Sequence, residues 1–453
     1  MLKIVILLCV ISISFSIYVI DSYKYNFLII LPLSFLTVTL IYNRVYYRLR
    51  NSVVFKLVVF QAIIRYSLIP IFIIHDQYLK VGFESRYTNI AIIVSVLEIV
   101  SIFLIFEIFS KKQESVIRRV NRTIQPVENY TIVSFLLLVI FCYLYYTGSF
   151  EVVNFIWNLG DYVSKYVTGE DEINSNKFGA VLLTPFKIIL SLLAISIIYN
   201  SSKVINKSYY YLLVVFFSSL FIVGTSRFSV VLFSLPLVVL ISQMVEPKDI
   251  RKILIFTLFI FVFMIVITTL AKFSKYGNTL TLNSIVTAST LNAYFSGVGN
   301  VSLGFEAYDE LTIDDSILYL VNDTFQNIPI LSKLTYDNYK GTIKFNEFIY
   351  QHRDYADQII PLSISGLFHF GYIGLFFYSS FFVTIALYFE RCALKINYIG
   401  YKYIYISLAS TFSLVFMLNI GSFYAYISRT ILFVFVPILI IKLLARFLFK
   451  AFK

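Results

Sequence analysis

Apolar runs of about 20 residues recur from one end of this chain to the other. That is the length a helix rising about 1.5 Å per residue needs to cross a hydrocarbon layer about 30 Å thick. Twelve stand out, over 2–20, 25–43, 53–74, 88–109, 131–147, 179–199, 209–224, 228–245, 253–271, 366–388, 403–420 and 430–446, each bounded by charges or turn residues. Backbone amides find no water partner in lipid, so runs this continuous read as helices, since barrel strands are shorter and alternate in polarity. Composition removes the soluble alternative. Of 453 residues, 59% are hydrophobic and 14% charged, where ordinary globular domains carry roughly 25% charged residues. Too few polar side chains remain to cover a water-facing surface, which excludes a soluble enzyme, a disordered linker protein and a secreted disulfide scaffold. The expectation is an all-α, polytopic integral membrane protein with about 12 spans, forming a single transmembrane domain over 1–453.

The basic residues orient the spans. With the N-terminus inside, Arg44, Arg48, Arg50 and Lys56 follow span two, and Lys111, Lys112, Arg118, Arg119 and Arg122 follow span four. Lys203 and Lys207, then Lys248, Arg251 and Lys252, then Arg391, Lys395 and Lys402, and finally Lys442, Arg446, Lys450 and Lys453 fall on the same side. The short outer segments hold only Lys24, Lys80, Arg86, Lys165, Lys177, Arg227 and Arg429. Positive-inside bias therefore puts both termini in the cytoplasm. The net charge of +12 belongs to these flanking clusters and not to a nucleic-acid surface. Lys3 followed by an apolar stretch with Ser12, Ser14 and Ser16 has the look of a signal peptide, but an uncleaved anchor is the expectation. Cys9, Cys142 and Cys392 lie in or beside apolar runs, at spacings that suit neither a metal knot nor a paired framework.

Two outer segments stand out by length. Residues 148–178 are acidic, with Glu151, Asp161, Glu170, Asp171 and Glu172 against Lys165 and Lys177. Residues 272–362 form a long outer loop between spans nine and ten, and long structured loops usually carry function. Within it, 316–325 and 345–357 have the pattern of short helices with an apolar face suited to the outer leaflet. No tandem repeat, low-complexity tract or nucleotide-binding glycine loop occurs, and no connection on the inner side is long enough for a catalytic domain.

Ionisable groups inside spans are expensive, so each is a candidate for function. Arg65 and Glu98 lie midway along antiparallel spans, where they meet either as a structural ion pair or as part of a polar cavity. Lys187, about 12 Å below the outer surface at helical rise, either snorkels outward or lines a cavity. The turn Gly224-Thr-Ser-Arg227 joins two apolar runs at the outer face. Its guanidinium is either an interfacial anchor or a two-point grip on a lipid phosphate. The third constellation closes the long loop: Gln351-His-Arg-Asp-Tyr-Ala-Asp357, Pro361, then Gly366-Leu-Phe-His-Phe-Gly-Tyr-Ile-Gly374. Arg353 and Asp357 are spaced for a solvated helix pair. Yet His352, Arg353 and His369 bring two imidazoles and a fixed cation to one interface, where proton transfer and phosphate binding both become available. Gly371 and Gly374 are spaced for close approach of another helix. Arg227, Arg353 and Arg429 all fall on the outer face, a cluster suited to a pyrophosphate. Among 36 Tyr and 46 Phe, Tyr294, Tyr308, Tyr336, Tyr339, Tyr350 and Tyr355 lie in outer loops, where they suit stacking on sugar rings.

With the Gly224-Thr-Ser-Arg227 turn, the long outer loop and Phe370-Gly-Tyr-Ile-Gly374 in this order, the chain resembles the Wzy-type O-antigen and capsular polysaccharide repeat-unit polymerases. The likeness implies a glycosyltransferase of the bacterial inner membrane that uses neither metal nor cofactor and joins undecaprenyl-pyrophosphate-linked oligosaccharides at the periplasmic face. It also leaves room for a chain-length regulator protein as partner, and none for nucleic acid. In that family arginines of two outer loops handle the lipid-linked substrates; these carry over onto Arg227 and Arg353. The related O-antigen ligases use a long-loop histidine, for which His352 is the nearest match, although the residues around it depart from the ligase pattern. On this reading Arg227 and Arg353 stabilise charge on the departing pyrophosphate, and His352, Asp354 or Asp357 takes the acceptor proton. Arg429, His369, Lys187 and Arg65 complete the expected substrate-binding set. An O-antigen ligase of the same layout and a lipid-linked oligosaccharide flippase are the alternatives.

Overall fold

A computed structural model of the protein describes residues 1–18, 25–76, 86–117, 124–127, 130–154, 177–201, 207–220, 222–223, 227–245, 249–260, 263, 287–310, 316–328, 331–352, 358–440 and 442–443. Among these residues the regular secondary structure is helical apart from a two-residue antiparallel pairing of Val153–Asn154 with Ile222–Val223 and one isolated bridge, Gln125 with Tyr398. Among the described residues four helices are long and apolar enough to cross a membrane: Val53–His75, Thr88–Lys111, Leu182–Asn200 and Tyr372–Lys395. Leu2–Tyr18, Phe27–Ile41, Tyr130–Tyr146 and Leu232–Ser242 are shorter apolar helices on other expected runs.

The chain divides into two compact units. One comprises Met1–Arg119, Leu282–Arg391 and Ala409–Ser428; the other comprises Val120–Thr281, Cys392–Leu408 and Arg429–Lys453. In the first, the helices Leu2–Tyr18, Ile30–Ile41 and Thr88–Ile117 pack in succession. Leu2–Tyr18 is inside out by soluble standards: Cys9, Ser12 and Ser16 are buried, while Ile4, Leu7 and Ile11 are exposed. Small residues at helix contacts and bulky apolar ones outside are what a lipid surround selects.

Helix Val53–Ile63 starts at Ser52, whose side chain accepts from Phe55 N at 3.1 Å and donates to Glu390 Oε2 at 2.6 Å. Glu390 Oε1 accepts from Val53 N at 2.5 Å, so a carboxylate sits at the positive end of that helix. Pro70 lacks an amide proton and its ring crowds the carbonyl four residues back. The helix adjusts with a π turn over Ile64–Leu68, in which Ile69 N donates to Ile64 O. The displaced Ser67 carbonyl accepts from Ser12 Oγ at 2.9 Å.

The run 403–420, expected as one span, is broken. Helix Ile399–Phe412 ends, residues 413–419 are non-helical, and a new helix runs over Ile420–Thr430. Asn419 caps the new start, its Oδ1 accepting from Ser422 N at 2.8 Å. Buried backbone away from water must be satisfied inside the protein. Here Gln61 does so, donating to Ser413 O at 2.9 Å and accepting from Phe416 N at 3.2 Å.

Much of the long loop is folded. Ala288–Tyr294 packs on Ile69–Asp76, and Val298–Glu310 packs on Thr88–Ile117 with every residue from Val298 to Ala307 buried. Ser316–Phe325 is helical as its pattern predicts. The second expected helix, 345–357, instead spans Gly341–Tyr350, because Gln351 takes a left-handed φ of 54° and ends it; residues 353–357 lie outside the described residues. Leu362–Phe370 then turns through Gly371, at φ 61°, into Gly374–Lys395. Gly371 therefore makes a turn and has open space where a Cβ would stand, while Gly374 lies on the backbone of Gly366, so close that neither tolerates a Cβ. Of the spacing expected to admit another helix, Gly374 does so, meeting the preceding helix Leu362–Phe370 at Gly366, while Gly371 serves the left-handed turn between the two.

In the second unit Lys177–Asn200 packs on Tyr130–Tyr146 and on Lys207–Leu220, which in turn packs on Arg227–Ser242.

Candidate functional site

Two buried polar systems in the first unit share the Gly374–Lys395 helix. The first is built where the folded loop meets that helix. Ser316–Phe325 turns Tyr319, Asn322 and Asp323 inward, and Asp323 Oδ2 lies 2.9 Å from His369 Nε2, both side chains being almost wholly buried. His369 Nδ1 lies 2.8 Å from Tyr378 Oη. Asp323 Oδ1 accepts from Gly341 N at 2.9 Å and from Gln326 Nε2 at 3.2 Å. A carboxylate ringed by donors is an acceptor only. His369 therefore donates through Nε2 to Asp323, while its Nδ1 and the Tyr378 hydroxyl share the second hydrogen bond. Gly341 makes room for this: a Cβ there would stand 2.6 Å from Asp323 Oδ2 and 3.3 Å from Phe368.

The supporting frame is aromatic and amide-rich. Phe368 contacts Tyr319 and Tyr308 at centroid distances of 5.8 and 6.0 Å. Asn346 donates to Gln358 O at 3.0 Å and accepts from Gln358 N at 2.9 Å, while Asn300 donates to Ile359 O at 3.0 Å. The chain is thus held at residues 358–359, immediately after 353–357.

The second system lies one residue further along the same helix. Arg65 Nη2 stands 2.8 Å from Glu98 Oε2, with 2% and 1% of the side chains exposed. Ser379 Oγ donates to Glu98 Oε1. The guanidinium lies 4.4 Å from the centroid of Phe416, in the non-helical segment 413–419, and Nε and Nη1 meet no hydrogen-bond partner among the described residues. The π turn that carries Arg65 and the broken helix that carries Phe416 thus converge on one ion pair.

The remaining sequence candidates are placed as follows. His352 is exposed, just beyond the end of Gly341–Tyr350. Arg353 lies outside the described residues, as do Asp354, Tyr355 and Asp357. Arg227 opens the helix Arg227–Ser242, and its side chain lies outside the described set. The expected gathering of Arg227 with Arg353 consequently falls outside the described residues. Arg429 is exposed in the last turn of Ile420–Thr430. Lys187 is buried within the second unit, its Nζ 5.1 Å from the centroid of Phe233, so it is turned inward and not toward the surface. Of the loop tyrosines, Tyr308 packs on Phe368 and Tyr339 on Tyr319, and Tyr350 accepts from Gln358 Nε2 at 3.0 Å. Tyr294 and Tyr336 are exposed.

Sequence reasoning missed Asp323, Tyr378, Gln61 and Ser379. A signal for Asp323 was present: Asn322, Asp323 and Gln326 share one side of a helix whose other side is apolar. In a lipid surround the polar side is the one that turns inward. Among the described residues no group of three or more His, Cys, Asp or Glu side chains converges as a metal site would require. No family model, curated protein or solved structure matches the chain.

Proposed function

We propose that this chain is a Wzy-type polysaccharide repeat-unit polymerase of the bacterial inner membrane, with about twelve spans and both termini cytoplasmic. The donor is a growing glycan on undecaprenyl pyrophosphate, and the acceptor is the terminal sugar hydroxyl of a new lipid-linked unit. The observation that carries the proposal is the buried Asp323–His369–Tyr378 chain, which ties the folded loop to the outer end of an apolar helix. A loop fixed this firmly positions its neighbours, and His352, Arg353, Asp354 and Asp357 lie within six residues of the pinned Gln358 in the chain.

In the proposed reaction the acceptor hydroxyl attacks the anomeric carbon of the donor, and the bond to pyrophosphate breaks with its electron pair going to the leaving oxygen. Arg227, Arg353 and Arg429 neutralise that oxyanion, which is electrostatic catalysis at the point where charge develops. His352, Asp354 or Asp357 takes the hydroxyl proton. His369 is a positioning residue, because both ring nitrogens are engaged.

A second reading, a lipid-linked oligosaccharide flippase, draws support from the Arg65–Glu98 pair beside the broken helix at 413–419, since discontinuous helices with buried charges are common at transport sites. A ligase shares the polymerase layout and differs in its acceptor. Separate Arg227→Ala and Arg353→Ala variants, checked for membrane insertion and scored by surface-glycan length, separate the three. A single repeat unit on the acceptor supports the polymerase. Loss of all surface glycan points to a flippase or ligase, and unchanged chain length removes both arginines from the mechanism.

A further inference from the structure

The helix Ser316–Phe325 has its polarity reversed. Tyr319, Asn322 and Asp323 are buried, while Ile317, at 74% exposure, Leu318 and Val321 face outward. The buried polar groups are all engaged: Asn322 donates to Leu318 O at 2.7 Å and accepts from Tyr336 N at 2.5 Å, and Asp323 holds His369. Nothing local therefore forces the apolar side outward for want of polar partners. The following segment adds to the same surface character, with Leu334 and Tyr336 largely exposed and Lys333 exposed beside them. In water such a surface is costly, because apolar area is left unburied.

We propose that the helix Ser316–Phe325, together with Lys333, Leu334 and Tyr336, is an interfacial element that rests on the outer leaflet, with Ile317, Leu318 and Val321 in the acyl boundary and Lys333 at the phosphate level. The occupant of the apolar face is bilayer lipid, and continuity carries that choice. The helix packs on Leu362–Phe370, which leads through a three-residue turn into the apolar span Tyr372–Lys395. The first turns of that span expose Tyr372, Ile373 and Phe377, as a lipid-facing helix does. Leu2–Tyr18 shows a similar inversion, with Ser12 and Ser16 inside and Ile4, Ile11 and Ile17 outside. An amphipathic helix lying in the headgroup plane buries its apolar side about 5–10 Å into this boundary. The inference goes beyond the proposed polymerisation and does not depend on it; it depends only on membrane insertion. Its consequence is that Asp323 is carried on an element with one side on lipid and the other on His369.

The test uses the full chain in phosphatidylglycerol-containing liposomes, with Cys9, Cys142 and Cys392 replaced. Single cysteines are placed at Ile317, Val321, Phe377 and the exposed Asn338, and each carries a nitroxide label. Accessibility to oxygen is compared with accessibility to a water-soluble nickel chelate. Labels at 317 and 321 are expected to favour oxygen several-fold relative to 338 and to match 377 in sign. The proposal is overturned if 317 and 321 behave as 338 does. It is equally overturned if they are shielded from both reagents, or show spin–spin broadening, because a protein partner or a second copy then covers the face. A label at 377 that reads as water refutes membrane insertion itself and is thereby distinguishable. Ile317→Cys replaces a highly exposed side chain, so it carries the test even if Val321→Cys fails to fold.

Discussion

The Arg65–Glu98 pair makes an asymmetric stability prediction. Both side chains are almost fully buried and 2.8 Å apart, so removing either leaves an uncompensated charge, a loss of about 3–5 kcal/mol in buried pairs. The two deletions are not equivalent, however. In Arg65→Met the stranded carboxyl can take up a proton, whereas in Glu98→Leu the guanidinium cannot lose one. Glu98→Leu also orphans the Ser379 hydroxyl, adding about 1 kcal/mol. Methionine can replace the stacking of Arg65 on Phe416 with a sulfur–aromatic contact. The expected order is therefore Glu98→Leu as the least stable, Arg65→Met next, and the double variant within about 1–2 kcal/mol of the parent, because a well-packed apolar replacement of a buried pair is often near neutral. Cys9 is a reporter, buried with its sulfur 3.4 Å from the hydroxyl of Ser67, which is two residues along from Arg65. Denaturant unfolding in micelles, read by a fluorogenic thiol dye in a Cys142→Ser, Cys392→Ser background, gives the four free energies of the cycle. Single losses below about 1 kcal/mol, the size of ordinary surface effects, would refute the reasoning, as would losses that simply add in the double variant.

Two further outcomes follow from the same contacts. Gly341→Ala places a methyl group against Asp323 Oδ2 and Phe368; overpacking of this kind costs about 1–3 kcal/mol, and the thiol-dye unfolding curve should shift together with a drop in glycan chain length. Gln61→Leu strands Ser413 O and Phe416 N, at about 1–3 kcal/mol for each buried group, and the same curve should register the loss while Gln61→Glu recovers only the acceptor half.

Arg65 and Glu98 were legible in the sequence because two charges midway along adjacent apolar runs leave each other as the obvious partner. The helix over Ser316–Phe325 was legible from its periodicity. The same pattern made its apolar side read as suited to the outer leaflet, but the partner of its polar side is His369, 46 residues along the chain, and Asp323 was overlooked for that reason. The break at 413–419 was hidden by composition: Leu414, Val415, Phe416 and Met417 keep the run apolar, and the turn is satisfied by Gln61, which lies more than 350 residues away in the chain. Asn419 and Gly421 were the local signs of a new helix start. Tyr378 looked like one aromatic among many until folding set its hydroxyl against His369. The glycine spacing at 371 and 374 fitted a helix-packing motif, but a left-handed turn and a close backbone contact use the same residue type.

The most direct test of the proposed activity is reconstitution of the purified chain in liposomes with lipid-linked repeat units extracted from cells that lack it. The proposal expects a ladder of longer lipid-linked glycans that survives EDTA and collapses to single units in Arg353→Ala. A folded protein, verified by the protected Cys9 thiol, that yields nothing longer than the starting unit would contradict it.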